Sequence, residues 1–159
     1  MNNKSQNKDF NPNGVGLRNG NFIGLPFDVE TTNVVLLPVP WDVTASYGEG
    51  TALAPETIRQ ASTQLDLFDP DVEDAWQLGI YMAPSDKALL DMRNSMRPQA
   101  AEYMRFLEEG GAVENNSQMK LVVDETNRAC EKMNSYVYNE TRQMIENDKL
   151  VGLVGGDHS

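Results

Sequence analysis

The chain has 159 residues, 40% of them hydrophobic, with 13 Lys+Arg against 24 Asp+Glu for a formal net charge of −11, one Cys and one His. That length suits one domain of about 100–200 residues. The acidic balance opposes binding to a phosphate backbone, and no Lys/Arg stripe reverses the field locally, so no nucleic-acid partner is expected. No stretch approaches the roughly 20 apolar residues of a membrane helix, and residues 1–10 have no apolar run like the core of a signal peptide, so the expectation is a soluble, cytoplasmic protein with no membrane partner.

Residues 1–30 are rich in Asn and Gly and poor in large apolar side chains. Such a segment buries too little surface to offset its ordering entropy, and is expected to be disordered or to lie as an extended arm on something else. Val34-Val35-Leu36-Leu37-Pro38-Val39-Pro40 follows, a continuous β-branched and apolar run that reads as a strand covered on both faces. Pro38 has no N–H for a ladder, which predicts that the strand ends there or lies at an edge. Thr44–Thr51, with its small residues and paired glycines, reads as a loop. Pro55 opens a helix with Glu56 at the positive end of its dipole, and Ile58, Ala61, Ser62 and Leu65 form one stripe at helical spacing.

Asp66–Asp74 concentrates carboxylates, but no register supplies both the sixth-position Gly and the twelfth-position Glu of a calcium loop, so a solvated acidic turn is expected. Trp76–Met82 reads as a second short strand. From Ser85 the pattern is helical: Ser85 or Asp86 caps, Ala88, Leu89, Met92 and Met96 form a stripe, Pro98 interrupts, and the helix resumes until Gly110-Gly111. A further helix spans about residues 118–147. Its stripe of Leu121, Val122, Ala129, Cys130, Met133, Tyr136, Val137, Met144 and Ile145 reads as core. Cys130 within it reads as a buried small hydrophobe. Leu150–Val154 reads as a third buried strand, running into Gly155-Gly156-Asp157-His158-Ser159.

Strands alternating with helical sections predict a parallel sheet with helical crossovers, and place the loops after Pro40 and Val154 on one rim, where open α/β sheets collect ligands. Consecutive Asp157, His158 and Ser159 point to alternate faces of an extended segment, which argues against a Ser-His-Asp triad. The glycines before them match neither phosphate-loop spacing. A third option is a metal site: a His at a strand rim, with glycines that let the backbone turn sharply and a carboxylate beside it, can present an imidazole nitrogen to a divalent ion, although a lone His by itself reads first as a surface or capping residue.

Gly155-Gly156-Asp157-His158-Ser159 after a hydrophobic strand resembles the first metal motif of the ureohydrolase family, the arginases, agmatinases and formimidoylglutamases. Pro38-Val39-Pro40-Trp41-Asp42, followed by Ser46–Ser62, is similar to the first strand, loop and helix of agmatinase-like members, with Ala54 where those have Gly. Leu78-Gly79-Ile80 falls at the family's second strand. The resemblance covers about residues 34–82 and 150–159. It divides the chain into an N-terminal arm (1–30) and the N-terminal part of a ureohydrolase domain (31–159), with residues 83–149 as a helical insert.

The resemblance implies an α/β fold, a three-layer α/β/α arrangement around a parallel sheet, with two manganese ions (Mn2+) at the strand rim. Two such cations lower the pKa of a bridging water enough to supply hydroxide to a resonance-stabilised guanidinium carbon. His158 matches the first metal-ligating His, and no other ligand carries over. The substrate would be a small cationic guanidino compound, agmatine first, with arginine, guanidinobutyrate and formimidoylglutamate as alternatives, and the full-length form a homo-oligomer. The family's later Asp-x-His-x-Asp and Asp-x-Asp motifs do not follow Ser159, so the expectation is the N-terminal portion of a longer ureohydrolase, inactive alone. The competing reading is a non-catalytic short paralogue that binds a partner or caps an oligomer through its open sheet edge.

Overall fold

The computed structural model describes residues 10–157. Three parallel strands form one sheet in the order β2-β1-β3, with β1 Val34–Val39, β2 Ile80–Met82 and β3 Leu150–Gly155. Helix α1, Ala54–Ala61, connects β1 to β2, and the antiparallel-connected pair α2, Lys87–Glu108, and α3, Ser117–Glu146, connects β2 to β3. The first crossover runs from β1 out to β2 and the second runs back from β2 past β1 to β3, in the opposite direction across the sheet, so the right-handed rule puts α1 on one face and the α2/α3 pair on the other. This is the predicted α/β fold with helices on both faces of a parallel sheet.

β1 is the central strand, which corrects the reading of Pro38. Its register with β3 runs unbroken from Val34↔Leu150 to Val39↔Gly155, through Pro38↔Val154. The reason lies in which side each residue's backbone faces. Val34 N–H donates to the Gly79 carbonyl at 3.0 Å, and the Leu36 carbonyl accepts from Ala83 N at 2.9 Å, so the even-numbered residues face β2. Asn33, on the odd set, accepts from Leu150 N at 2.9 Å and faces β3. The missing donor of Pro38 therefore falls on the β2 side, just where that ladder stops, and the β3 ladder loses nothing. Proline ends pairing on one flank only.

The second strand is shorter than the sequence pattern predicts. Ala75–Leu78 forms a 3₁₀ turn and only Ile80–Met82 pairs. Asp74, at φ 54°, accepts from Gln77 Nε2 at 3.0 Å, and Gln77 N donates to the Asp74 carbonyl at 2.8 Å. Gly79 then takes φ 74° against the Phe27 ring, and these local bonds wind the stretch that alternation alone reads as extended.

The helical section behaves as patterned, apart from its proline. Asp86 caps α2 by accepting from Leu89 N at 2.7 Å, and Asn116 caps α3 by accepting from Met119 N at 3.1 Å. Pro98 lies inside a continuous α2 rather than interrupting it. Flanking turns anchored by buried Met96, Arg97 and Ala100 carry the helix across the missing bond. The main core joins Trp41 and Val43 from the loop after β1 to Leu89, Met96 and Ala100 of α2 and Ala129 and Met133 of α3. Cys130 packs at the margin of this cluster, where burial pushes its thiol pKa up, the direction expected of a packing residue rather than a reactive thiolate.

Two expected apolar stripes are less buried than their spacing implies. Ile58 and Leu65 of the first are 43% and 59% exposed, and the buried member is Ser62, whose Oγ accepts from Ile23 N at 2.7 Å. Leu121 and Ile145 of the second are likewise exposed. Residues before β1 pack closely: Leu25 and Phe27 are buried, Phe10 and Trp76 rings lie 5.0 Å apart, and Arg59 donates to the Gly20 carbonyl at 2.9 Å.

Replacing Pro98 by Ala restores a helical donor and removes the ring's clash with the preceding turn. Urea denaturation followed by far-ultraviolet circular dichroism should show Pro98→Ala stabilised by about 1–3 kcal/mol. An unchanged or lower midpoint would mean that α2 is shaped around the proline.

Candidate functional site

The carboxyl ends of β1 and β3 converge. Asp157 N donates to the Trp41 carbonyl at 3.0 Å, so the segment leaving β3 runs directly beside the segment leaving β1, on the rim the sequence predicts. Asp157 is exposed there. His158, the candidate metal ligand, lies outside the described residues, one position beyond this hydrogen bond.

The two glycines of the motif do different things, and neither makes a left-handed turn, since both have ordinary φ. At Gly156 an added Cβ would stand 2.6 Å from the Trp41 carbonyl oxygen and 2.7 Å from the Thr51 carbonyl. These are backbone atoms that cannot swing away, so the position requires glycine for close approach, not for a sharp turn. At Gly155 the nearest atom to an added Cβ is the Val39 carbonyl oxygen at 3.8 Å, an ordinary contact.

What fixes the gap between Trp41 and Thr51 is a buried carboxylate that the sequence reading quoted in the motif without assigning it a role. Asp42 is fully buried. Its Oδ2 accepts from Gly50 N at 2.9 Å, from Ala52 N at 3.2 Å and from Arg93 Nη2 at 3.0 Å, and its Oδ1 accepts from Arg93 Nε. The guanidinium thus engages both oxygens, the bidentate geometry that suits a desolvated carboxylate. Burial raises the Asp42 pKa, but the hydrogen bonds from Arg93, Gly50 and Ala52 and the Arg93 charge together outweigh it, so the carboxyl sits below its usual value. Arg93 is correspondingly raised, chiefly by its hydrogen bond to Asp42.

Arg97, one helical turn on, donates from Nη1 to the Val43 and Ala45 carbonyls at 3.1 and 2.8 Å. Glu49 approaches both arginines, at 3.9 Å from Arg93 Nη2 and 3.6 Å from Arg97 Nε. The loop after β1 is therefore strapped to α2 along its length, while its tip residue Tyr47 is fully exposed. An Asp after a strand followed by a Gly-rich loop was the available signal for this network. Its arginine partners, 51 residues downstream in the case of Arg93, were not legible from spacing.

The metal question divides. An imidazole beside a carboxylate is suitable donor chemistry for a divalent ion, but among the described residues no group of three or more His, Cys, Asp or Glu is placed to hold one. The described residues by themselves do not fit a two-metal centre. Nor does the acidic turn supply one: Asp66 Oδ1 accepts from Phe68 N, and Asp69 Oδ1 from Asp71 N and Val72 N, closing local turns. A cavity of about 350 Å³ opens beside the exit of β2, lined by Leu37, Pro84, Asp86, Tyr136 and Glu140 among others. Burial, with Asp86 and Glu140 nearby, raises the Tyr136 pKa.

The chain is a parallel α/β domain whose Gly-Gly-Asp segment leaves β3 against the loop that follows its sheet neighbour β1. The chain belongs to the Arginase family, whose model matches residues 32–159. Comparison with curated proteins finds no match, and comparison with solved structures finds none. Among the described residues no helix is long and apolar enough to cross a membrane.

Two predictions test this geometry. Gly156→Ala should prise the β3 exit away from Trp41, giving protein less stable than Gly155→Ala by more than about 1 kcal/mol in chemical denaturation; equal effects would refute the close-approach argument. Because Asp42 has a lower pKa folded than unfolded, the unfolded chain binds more protons through the interval between the two values. Its contribution is fully present above the unfolded pKa and is lost as pH falls through the folded one. Asp42→Asn should therefore flatten the acid limb of the stability-against-pH curve, besides lowering stability near neutral pH by roughly 3–5 kcal/mol for a broken buried pair.

Proposed function

We propose that this chain supplies the first metal-ligating residue, His158, and the first rim loop of a manganese-dependent ureohydrolase acting on a small guanidino compound, with agmatine as the leading substrate. The observation that carries the reading is the family match over residues 32–159 combined with the Asp157–Trp41 hydrogen bond, which holds the residue before His158 at the carboxyl rim of the sheet. In this reading manganese supplies an activated water for hydrolysis of a guanidinium C–N bond to urea and an amine. The chain's own share is to hold the rim. In this reading the other ligands are supplied by residues outside the described ones, among which no group of three or more His, Cys, Asp or Glu is placed to hold a metal. Agmatine ranks first on the resemblance of residues 38–62 to agmatinase-like members; arginine, guanidinobutyrate and formimidoylglutamate are the other members of the same substrate class.

A second reading, a non-catalytic module that pairs with another subunit, is supported by β3. Among the described residues that strand pairs with β1 alone, and its Leu150 and Leu153 are 67% and 57% exposed. An apolar edge strand favours association, and a homo-oligomer is the simplest outcome.

The test is to read the frame downstream of Ser159 and assay both products with Mn2+ and each guanidino compound. The continued product should release urea from agmatine, and His158→Asn in it should cost more than about 100-fold in kcat. The 159-residue chain should release none at an enzymatic rate; if it does, the incomplete-site reading fails. An immediate stop codon would favour the module.

A further inference from the structure

We propose that Arg93 of α2 is a positioning residue for the segment that leaves β3, acting through Asp42. The helical section carrying α2 is then a strut for the site rim and not merely a connection between β2 and β3. Its bearing on the metal rim rests on the reading of His158 above; the mechanical relay does not, and amide exchange reads the relay alone.

Four contacts in series carry it. Arg93 grips both oxygens of Asp42. The same carboxylate accepts from Gly50 N and Ala52 N, the two amides that bracket Thr51. Thr51 and Trp41, the residue before Asp42, form the two walls against which Gly156 fits with no room for a Cβ. Asp157 N closes the series on the Trp41 carbonyl at 3.0 Å. Asp42 thus sets the width of a backbone slot, and the β3 exit is wedged in that slot.

Of the charged groups around Asp42, Arg93 is the one that neutralises it. Arg97 donates instead to the Val43 and Ala45 carbonyls, and Glu49 adds a second negative charge close by. Without Arg93 the buried carboxylate would be held by two amide donors alone, next to Glu49. It would then have to draw in water or move outward. Either response takes Gly50 and Ala52 with it and opens the slot. A lysine would restore the charge but not the two-point grip, because its ammonium is a single point on a flexible stem.

Amide hydrogen exchange on the 159-residue chain tests the relay. Arg93→Gln should speed exchange at Gly50, Ala52 and Asp157 by at least about 10-fold while the amides of α3 around Ala129 keep their rates. Arg93→Lys should loosen the same three amides to a smaller extent. Asp42→Asn should loosen Asp157 as Arg93→Gln does, and the double variant should add nothing further, as expected for two members of one series. Arg142→Gln, which breaks an exposed pair with Glu146 on α3, is the control and should move none of the three. Asp157 keeping its protection in Arg93→Gln would overturn the relay, as would wild-type protection of all three amides in Arg93→Lys. If Arg93→Gln loses structure throughout, the Arg93→Lys and Asp42→Asn results decide.

Discussion

A fully buried aspartate next to a strand end has to be satisfied before anything around it can settle. Asp42 takes its partners from two directions: backbone amides of its own loop, and a guanidinium from a helix far along the chain. Leaving a carboxylate without partners in such a place costs several kcal/mol, so its bonds are a strong constraint on where the loop and the helix can lie. The position of α2 over the rim, the shape of residues 42–53 and the slot for Gly156 all answer to it. The apolar core is arranged to match. Trp41 and Val43, on either side of Asp42, are the loop residues that pack into α2 and α3.

The order of the main elements was legible because each depends on local or pairwise rules. The β-branched run at 34–39 and the apolar run at 150–154 both form strands, the first covered and the second, expected to be buried, with no fully buried residue because no described element flanks its outer edge, and the caps at Asp86 and Asn116 sit at or next to the predicted helix starts. The failures have physical causes as well. Pro38 argues for an edge if a strand is treated as having one kind of flank, yet its two flanks differ and only one needed the missing proton. Trp76–Leu78 reads as part of a short strand, but the side chain of Asp74 offers bonds that wind it. Ile58 and Leu65 follow helical spacing without the burial that spacing usually signals, since spacing reports which face is apolar and not whether a neighbour covers it.

Of the candidate site, the sequence pointed to a rim and to one ligand candidate but not to its framing. Gly-Gly-Asp-His after an apolar strand was readable as a rim motif, and the Asp157–Trp41 bond joins the two segments that the motif and the first loop predict to meet. The reason for the second glycine was not readable. It depends on backbone atoms of residues 41 and 51, more than a hundred positions earlier, and no periodicity encodes a steric slot. The arginines were hidden for a similar reason. On the helix they look like ordinary polar-face residues, and only the fold reveals that Arg97 is 8% exposed.

The pairing of Val34 with Leu150 has a kinetic side. The central strand must wait for almost the whole chain to be in place before its β3 ladder can form, whereas its ladder with β2 and the α2/α3 hairpin close much shorter loops. Contacts that close long loops are entropically late, so the unit of β1, α1 and β2 and the helical hairpin can take shape first. During that interval one flank of β1 and the slot between Trp41 and Thr51 stand open. Among the three described strands, β3 is therefore the last to dock, and its docking, which brings the Gly-Gly-Asp segment to the rim, waits on the longest loop closure in that sheet.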